Sequence, residues 1–208
     1  MVEVRVDNRS SIATADEDKK DSVVQVKHLL QNSWTLWFFR NDREAKDWSS
    51  NQTEVATVGT VEDFWALYNH IECCSKLPQG CDYSIFKKGI QPAWEDAKNK
   101  NGGRWMIQLD KSPSKADTDK YWMEICMMLV GEAFEDDNEL VNGAVVSVRG
   151  KGDRLAVWLS CDHSKEDRIK QIGRLIKKRL EINKSINFQT HADSAAKNSS
   201  NVKSTFSV

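Results

Sequence analysis

Eight tryptophans distinguish this 208-residue chain, and the neighbours Trp94 and Glu95 indicate what some of them could do. Eight indoles exceed what a single core of this size readily buries, because the ring is large and its N–H group needs a partner. Trp94 lies in the polar stretch Pro-Ala-Trp-Glu-Asp, and Trp48 lies between an aspartate and a serine. Both indoles are therefore predicted to contact a ligand and not to fill the core.

A carboxylate beside an exposed indole is suited to guanine. The N1–H and N2–H₂ groups of guanine lie on one edge, and Glu95 could accept both in short, charge-assisted hydrogen bonds, whereas adenine has no matching pair of donors. Indoles on both faces would form a sandwich, with stacking contributing about 1–3 kcal/mol per base. A cationic base such as 7-methylguanine would add cation–π attraction of about 0.5–2 kcal/mol.

A basic cluster lies further along the chain. The segment Gly-Lys-Gly-Asp at residues 150–153 predicts a hairpin turn, which would bring Arg149, Lys151 and Arg154 together. Alternation along the following strand places Trp158 on the same face as Arg154. Such a cluster could hold a phosphate chain. By themselves, the basic residues are more often a solvated hairpin, and Glu95 would be an ordinary surface acid.

Three helices are predicted to support these residues. The first has Thr60 as its N-cap, with Asp63 three residues later. The second, from about residue 118 to 131, is apolar nearly all round, so it is either wholly buried or lies between the core and a partner. The third begins near Ser164, with Asp167 in the capping-box position, and it ends in three basic residues that suit the helix dipole.

Strands are predicted over residues 34–39, 104–109, 144–149 and 154–160, which are rich in β-branched and aromatic residues. In the last of these, the leucines and the valine at odd positions point to one face and Trp158 to the other. The predicted fold class is α/β, a single domain of antiparallel strands with helices on one face. Four tryptophans in apolar segments are predicted to be core residues: Trp34, Trp37, Trp105 and Trp122.

Composition limits the function classes. A formal net charge of -1 argues against coating long nucleic acids, so binding of RNA would need a local basic patch. The start of the chain predicts neither a signal peptide nor a lipid anchor, and no apolar run of about 18 residues occurs. Five cysteines without metal-ligand spacing predict reduced thiols and no zinc site.

Residues 1–27 are predicted to be a disordered tail, and residues 28–208 are predicted to be a domain with a mobile loop at about 192–205.

The segment from His28, His-Leu-Leu-Gln-Asn-Ser-Trp-Thr-Leu-Trp-Phe-Phe, resembles the start of the eukaryotic translation initiation factor 4E family, which binds the messenger-RNA cap. The resemblance covers residues 28–208, and so many indoles at matching spacings make it specific. It continues through Thr60-Val-Glu-Asp-Phe-Trp65, Tyr83-Ser-Ile-Phe-Lys, Trp94-Glu-Asp, Gly102-Gly-Arg-Trp105, Tyr121-Trp122-Met-Glu, Gly131-Glu, Gly143-Ala-Val-Val-Ser-Val-Arg-Gly-Lys-Gly-Asp-Arg154 and Trp158.

This resemblance implies a curved antiparallel sheet with three helices on its convex face and a cap-binding slot on its concave face. It also implies that two indoles sandwich 7-methylguanine, that the glutamate binds the N1 and N2 edge, and that a third indole contacts the N7-methyl group. Basic residues would grip the triphosphate. The implied cap-binding residues are Trp48, Trp94, Glu95, Trp158, Arg149, Lys151, Arg154 and Arg104.

On the convex face, the resemblance implies a surface that receives helices with the motif Y-x-x-x-x-L-hydrophobic, by helix-in-groove recognition. Its ligands would be scaffold proteins of the 4G type and 4E-binding repressors. Without the resemblance, Trp65 could equally be a core residue. The implied partner-binding residues are His28, Val61, Trp65, Met123 and Met127, and Ser200 lies at the family's regulatory phosphorylation position, where an unmodified tail serine is equally expected.

The predicted function is therefore capture of the 5′ cap of messenger RNA and its recruitment for translation initiation. The protein would be a monomer in the cytoplasm, also in the nucleus or messenger-RNA granules, with no enzymatic activity, cofactor, metal or membrane contact. Two departures from the family pattern motivate an alternative. The loop before Trp48 is longer and more acidic, and Ser147 stands where asparagine is usual. In this alternative, the chain is a cap-weak paralogue that acts as a repressor or scaffold through its convex surface. An enzyme would need a metal cluster or a nucleophile–base pair, and a general single-strand binder a longer basic groove.

Overall fold

The computed structural model describes residues 26–42, 49–110, 116–161, 163–193 and 205–208. Within these ranges no helix is long and apolar enough to cross a membrane. The α-helices there are α1 (Val61–His70), α2 (Ala116–Val130) and α3 (Glu166–Arg179). The strands are β1 (Leu29–Phe39), β2 (Gln52–Thr60), β3 (Asp82–Lys87), β4 (Gly103–Gln108), β5 (Val141–Ser147), β6 (Arg154–Leu159), β7 (Asn187–Thr190) and β8 (Phe206–Ser207).

The strands form one curved, open sheet in the order β2-β1-β3-β5-β6-β4-β7-β8, in which every neighbouring pair is antiparallel. This confirms the predicted single α/β domain built on an antiparallel sheet. The chain passes directly from β5 to β6, with Ser147 opposite Arg154, so the predicted hairpin at residues 150–153 is also confirmed. The hairpin lies in the middle of the sheet, where both of its strands have neighbours on their outer sides.

Alternation along β6 distinguishes the two faces of the sheet. Leu155, Val157 and Leu159 are fully buried in the main core with the helices, and they define the helix-covered face. Ala156 and Trp158 belong to a second, smaller cluster and define the open face. Successive side chains of a strand point to opposite faces, so the sequence pattern predicted this division correctly.

Three of the four tryptophans predicted to be core residues are buried in the main core between the sheet and the helices. Trp34, Trp105 and Trp122 are all at most 1% exposed. Trp105 donates its indole N–H to the Ile169 carbonyl of α3 at 3.1 Å. Gly173 of the same helix faces this ring, where an added Cβ would lie 2.4 Å from the nearest indole atom. Glycine therefore permits the close approach of α3 to the sheet.

The core prediction for Trp37 is wrong. Trp34 and Leu36 of β1 point into the main core, whereas Trp37 is half-buried and belongs to neither apolar cluster. The physical reason is the two-residue period of a strand, which places residues three apart on opposite faces. An apolar segment alone does not say which of its indoles faces the helices.

The helix termini agree with the predictions at α1 and differ at α3. The Thr60 hydroxyl accepts the backbone N–H of Asp63 at 3.1 Å, as a capping residue should. Helix α3 begins at Glu166, and the Lys165 side chain that precedes it makes no capping hydrogen bond. Ser164 lies inside a 3₁₀ turn that comes before the helix, so it is not the residue directly before α3.

Several elements were not predicted from the sequence. β2, β3, β7 and β8 were missed, and β1 begins at Leu29, five residues before its predicted start. β2 and β8 are the edge strands of the sheet, so much of their surface faces water and their sequences lack a clear alternation. Of the segments predicted to be a disordered tail and a mobile loop, residues 1–25 and 194–204 lie outside the described ranges.

Candidate functional site

The open face of the sheet carries a cleft of about 430 Å³. Its floor is formed by strands β3 to β6, and one wall is the loop that follows β3. The sheet order brings together side chains that are more than sixty residues apart in the sequence. Six of the eight residues predicted to bind the cap line this cleft: Trp94, Glu95, Arg104, Arg149, Arg154 and Trp158.

The other two residues predicted to bind the cap, Lys151 and Trp48, are not among the described residues that line the cleft. Lys151 is exposed in the turn of the β5–β6 hairpin, and it is not part of the cleft lining. Trp48 lies outside the part of the chain that the structure describes, as does Ser200. Phe39 ends β1 and Gln52 begins β2, and both line the cleft. The segment that contains Trp48 is thus joined at both ends to strands that border the site.

Hydrogen bonds within the loop after β3 hold Trp94 without burying it. The Asp96 carboxylate accepts the backbone N–H groups of Gln91 and Lys98 at 2.9 and 2.8 Å. The buried Asn99 amide donates to two carbonyls of the same loop, each at 2.9 Å. The Trp94 side chain nevertheless remains 50% exposed. A rigid loop with an exposed indole face can receive a planar ring at little cost in ordering.

Trp158 forms the floor of the cleft and is itself 6% exposed. Its ring meets Phe86 edge-on, with centroids 5.5 Å apart, and its centroid lies 4.2 Å from that of the His191 ring. The Arg104 guanidinium lies over the same indole at 5.8 Å. Within the described ranges the buried Trp158 Nε1 atom has no hydrogen-bond partner. These contacts fix the plane of the indole.

The two basic side chains next to this floor, Arg104 and His191, differ in charge at neutral pH. Burial, followed by the charge of Arg154, lowers the pKa of Arg104. The Arg104 side chain stays charged because guanidinium deprotonates only at very high pH. Burial, and then the charge of Arg104, lowers the pKa of His191 to about 3. His191 is therefore neutral at physiological pH, and the positive charge next to the Trp158 ring belongs to Arg104.

Arg149 is oriented by Asp82, a residue that was not among the predicted ones. The Asp82 carboxylate accepts Nη1 at 2.5 Å and Nη2 at 3.1 Å, and Nη1 also donates to the Val148 carbonyl at 3.0 Å. Burial raises the pKa of Asp82, with the Arg149 charge acting in the opposite direction. In the described part of the chain, Nε and one Nη2 hydrogen of Arg149 remain without an acceptor, which is the geometry needed for one more bidentate oxyanion.

Sequence reasoning missed Asp82 because nothing local distinguishes it. It is the first residue of the buried strand β3, and its partner Arg149 lies 67 residues later in the chain. The pairing follows from β3 and β5 being neighbours, with Asp82 opposite Ser147. Only knowledge of that strand pairing would have predicted the contact.

The cleft can therefore bind a planar, electron-poor ring that carries phosphates. The exposed Trp94 face supplies stacking, Glu95 next to it supplies an acceptor for paired N–H donors, and the floor beneath is an immobilised indole. Arg149 and Arg154 border the same cleft as a source of oxyanion contacts. No arrangement of three or more histidine, cysteine or acidic side chains that could hold a metal occurs among the described residues.

A second exposed surface lies on the opposite side, around α1 and α2. Val61 and Trp65 of α1 are 38% and 37% exposed, so Trp65 is not a core residue. Met123 and Met127 of α2 are half-buried, although the opposite side of that helix is fully buried.

The exposed His28 lies next to the first turn of α1, because its ring contacts the Glu62 carboxylate at 2.6 Å. The His28 contact lowers the pKa of Glu62 to about 2.

An open antiparallel sheet with helices on one face, and an aromatic, arginine-lined cleft on the other, defines a single-domain binding protein. Comparison with known proteins then gives its family. A family model described as Eukaryotic initiation factor 4E matches residues 29–206 of the chain. The chain belongs to the eukaryotic initiation factor 4E family.

Known proteins of this family are similar to the chain over most of its length. The chain is 47% identical over 207 residues to Eukaryotic translation initiation factor 4E-1A of Danio rerio, covering 97% of this chain and 95% of the relative. It matches Ascaris suum eIF4E-3 in complex with an m7G cap at 42% identity and a TM-score of 0.80, over 88% of this chain and 98% of that one. A complex of C. elegans eIF4E-3 with the 4E-binding protein Mextli and a cap analog matches at 39% identity and a TM-score of 0.80, over 88% and 100% of the chains.

Proposed function

We propose that this protein binds the 7-methylguanosine cap of messenger RNA in the open-face cleft and recruits it for translation initiation through a scaffold protein on the helix-covered side. The observation that carries the proposal is one cleft that joins the exposed Trp94 and its neighbour Glu95 to the arginines of the β5–β6 hairpin. The caps in the related structures favour cap capture over the alternative of a cap-weak repressor or scaffold.

Base recognition would combine stacking with a charged hydrogen-bond pair. The Trp94 face stacks on 7-methylguanine, the Trp94 backbone N–H meets O6, and the Glu95 carboxylate accepts the N1 and N2 donors. Trp48 would cover the other face of the base, and Trp158 would contact the N7-methyl group from the floor. Stacking contributes about 1–3 kcal/mol, and the positive charge of the methylated base adds about 0.5–2 kcal/mol.

Phosphate recognition would come from the hairpin. Arg149 presents its free Nε and Nη2 donors to an oxyanion, because Asp82 occupies its other edge. Arg154 borders the same cleft, and Lys151 in the exposed turn could follow a longer phosphate chain. Arg104 lies deeper and supports the site by its charge over Trp158. Such binding needs no catalysis, cofactor or metal, and we propose none for this protein.

On the helix-covered side, the partner would be an amphipathic helix with the motif Y-x-x-x-x-L-hydrophobic. Val61 and Trp65 offer exposed apolar surface on α1, and Met123 and Met127 add flexible side chains that adapt to different ligands. Scaffold proteins of the 4G type and 4E-binding repressors would compete for this surface. A cytoplasmic location, with nuclear or granule pools, is part of the same proposal.

Fluorescence titration tests the cap-binding proposal directly. Stacking of 7-methyl-GTP should quench tryptophan emission, and GTP should bind about 2- to 30-fold more weakly because its neutral base lacks the cation–π contribution of about 0.5–2 kcal/mol. GTP is the matched control, since it carries the same phosphates and the same guanine donors. Equal affinities, or no quenching by either nucleotide, would remove the cap-binding proposal and favour the scaffold alternative.

A further inference from the structure

The β5–β6 hairpin is tied to helix α2 by a buried carboxylate. Asp153, which is 4% exposed, accepts the Arg149 backbone N–H on Oδ1 at 2.9 Å and the Thr118 hydroxyl on Oδ2 at 2.8 Å. Thr118 is 3% exposed and lies in the first turn of α2. Both carboxylate oxygens are therefore used, one on the hairpin and one on the helix. Neither Asp153 nor Thr118 lines the cleft.

A second tie reaches the hairpin from the neighbouring strand. Gln108 of β4 lies opposite Arg154, and its Nε2 atom donates to the Gly152 and Asp153 carbonyls at 3.2 Å each. Its Oε1 atom accepts Nε of Arg154 at 3.0 Å. One amide thus holds both the backbone of the turn and the guanidinium of Arg154. Gln108 does not belong to the cleft lining either.

We propose that Gln108 and Thr118 are positioning residues, with Thr118 acting through Asp153. They hold the hairpin arginines in the orientation that binds a phosphate chain, although Gln108 and Thr118 do not contact the phosphates themselves. This inference rests on the proposed cap-binding function. A turn with two glycines, at positions 150 and 152, would otherwise sample many conformations. Ordering it only when ligand arrives would reduce the affinity, whereas hydrogen bonds already present in the free protein avoid that loss.

The phosphate contribution to binding is the readout that separates positioning from general stability. For each variant we compare the dissociation constants of 7-methyl-GTP and of 7-methylguanosine, which carries the same base without phosphates. Thr118→Val removes the hydroxyl at nearly constant volume, and Gln108→Met removes the amide at nearly constant length. Each should weaken 7-methyl-GTP binding about three- to tenfold and leave 7-methylguanosine binding unchanged.

Thr118→Ser is the matched control, because it retains the hydroxyl that donates to Asp153. It should keep the ratio of the two dissociation constants at the wild-type value, although it loses a buried methyl group and therefore some stability. The inference is overturned if Thr118→Val and Gln108→Met bind both ligands like the wild type. It is also overturned if they weaken both ligands equally, since that result indicates a general structural role.

The titration of the wild type with 7-methyl-GTP and GTP, read beside these data, distinguishes this inference from the proposed function. A wild-type protein that shows no preference for 7-methyl-GTP over GTP would contradict cap binding itself, and the positioning roles would fall with it. A wild type that prefers the methylated nucleotide, with variants that leave the phosphate contribution intact, would contradict the positioning roles alone.

Discussion

His191, beneath the floor of the cleft, should make the free energy of unfolding depend on pH. Its ring is 2% exposed and lies 4.2 Å from the Trp158 ring. Burial, followed by the Arg104 charge, lowers the pKa of His191 from 6.5 to about 3. The folded protein therefore keeps this imidazole neutral at pH values where the unfolded chain binds a proton.

The direction and the size of the effect follow from the number of protons bound by each state. Since the pKa of His191 is lower in the folded state, its contribution to stability is present above about pH 6.5 and is lost as the pH falls towards about 3. Well inside that window, each pH unit changes the free energy of unfolding by about 1.4 kcal/mol. Between about pH 7.5 and pH 5, His191 alone should reduce it by about 2 kcal/mol.

Urea unfolding of the wild type and of His191→Phe at several pH values measures this contribution. Phenylalanine keeps an aromatic ring against Trp158 and cannot titrate, while the effects of the acidic residues are common to both proteins and cancel. The difference in unfolding free energy between wild type and variant should shift by about 2 kcal/mol against the wild type from pH 7.5 to pH 5. His191→Gln serves as a second variant if phenylalanine packs poorly. Parallel pH profiles would show that His191 titrates equally in both states and is not held neutral.

Three further substitutions test the site, the partner surface and the core. Glu95→Ala should weaken 7-methyl-GTP binding about 10- to 100-fold and abolish the preference for guanine over adenine nucleotides, because a bidentate acceptor is lost; unchanged selectivity in competition titrations would contradict its role. Trp65→Ala should weaken binding of a Y-x-x-x-x-L-hydrophobic peptide and spare 7-methyl-GTP binding; an unfolded variant would instead make this indole structural. Gly173→Ala should lower the free energy of unfolding by about 1–3 kcal/mol, since its Cβ would meet the buried Trp105 ring, and a urea midpoint equal to that of the wild type would refute the clash.

Much of the fold could be predicted because the signals were local. The capping of α1 needs only Thr60 and the residue three positions later, and the faces of β6 follow from a two-residue period. The exposure of Trp94 was predicted from its polar neighbours. The cap-binding roles of Trp94 and Glu95 came from the chemistry of adjacent side chains and from the family resemblance, and they remain predictions for the titrations above.

Other features required contacts between distant segments. Trp34 and Trp37 lie in one apolar run, yet only Trp34 faces the helices, because the strand fixes which side each residue takes. The missed strands β2 and β3 do contain β-branched and aromatic residues, but their place in the sheet depends on pairing with β1, a separate segment of the chain. The start of α3 depended on a 3₁₀ turn that the capping pattern did not predict.

The sequence by itself therefore determined the fold class, the family and the residue types able to bind a methylated base and its phosphates. Only the tertiary structure decided how those residues are held. The Asp82 carboxylate reaches Arg149 across neighbouring strands, and the Thr118 hydroxyl reaches the hairpin through Asp153. Such contacts depend on distances set by strand order and helix packing, which no local pattern of residues contains. They determine which donors of the arginines remain available for a ligand.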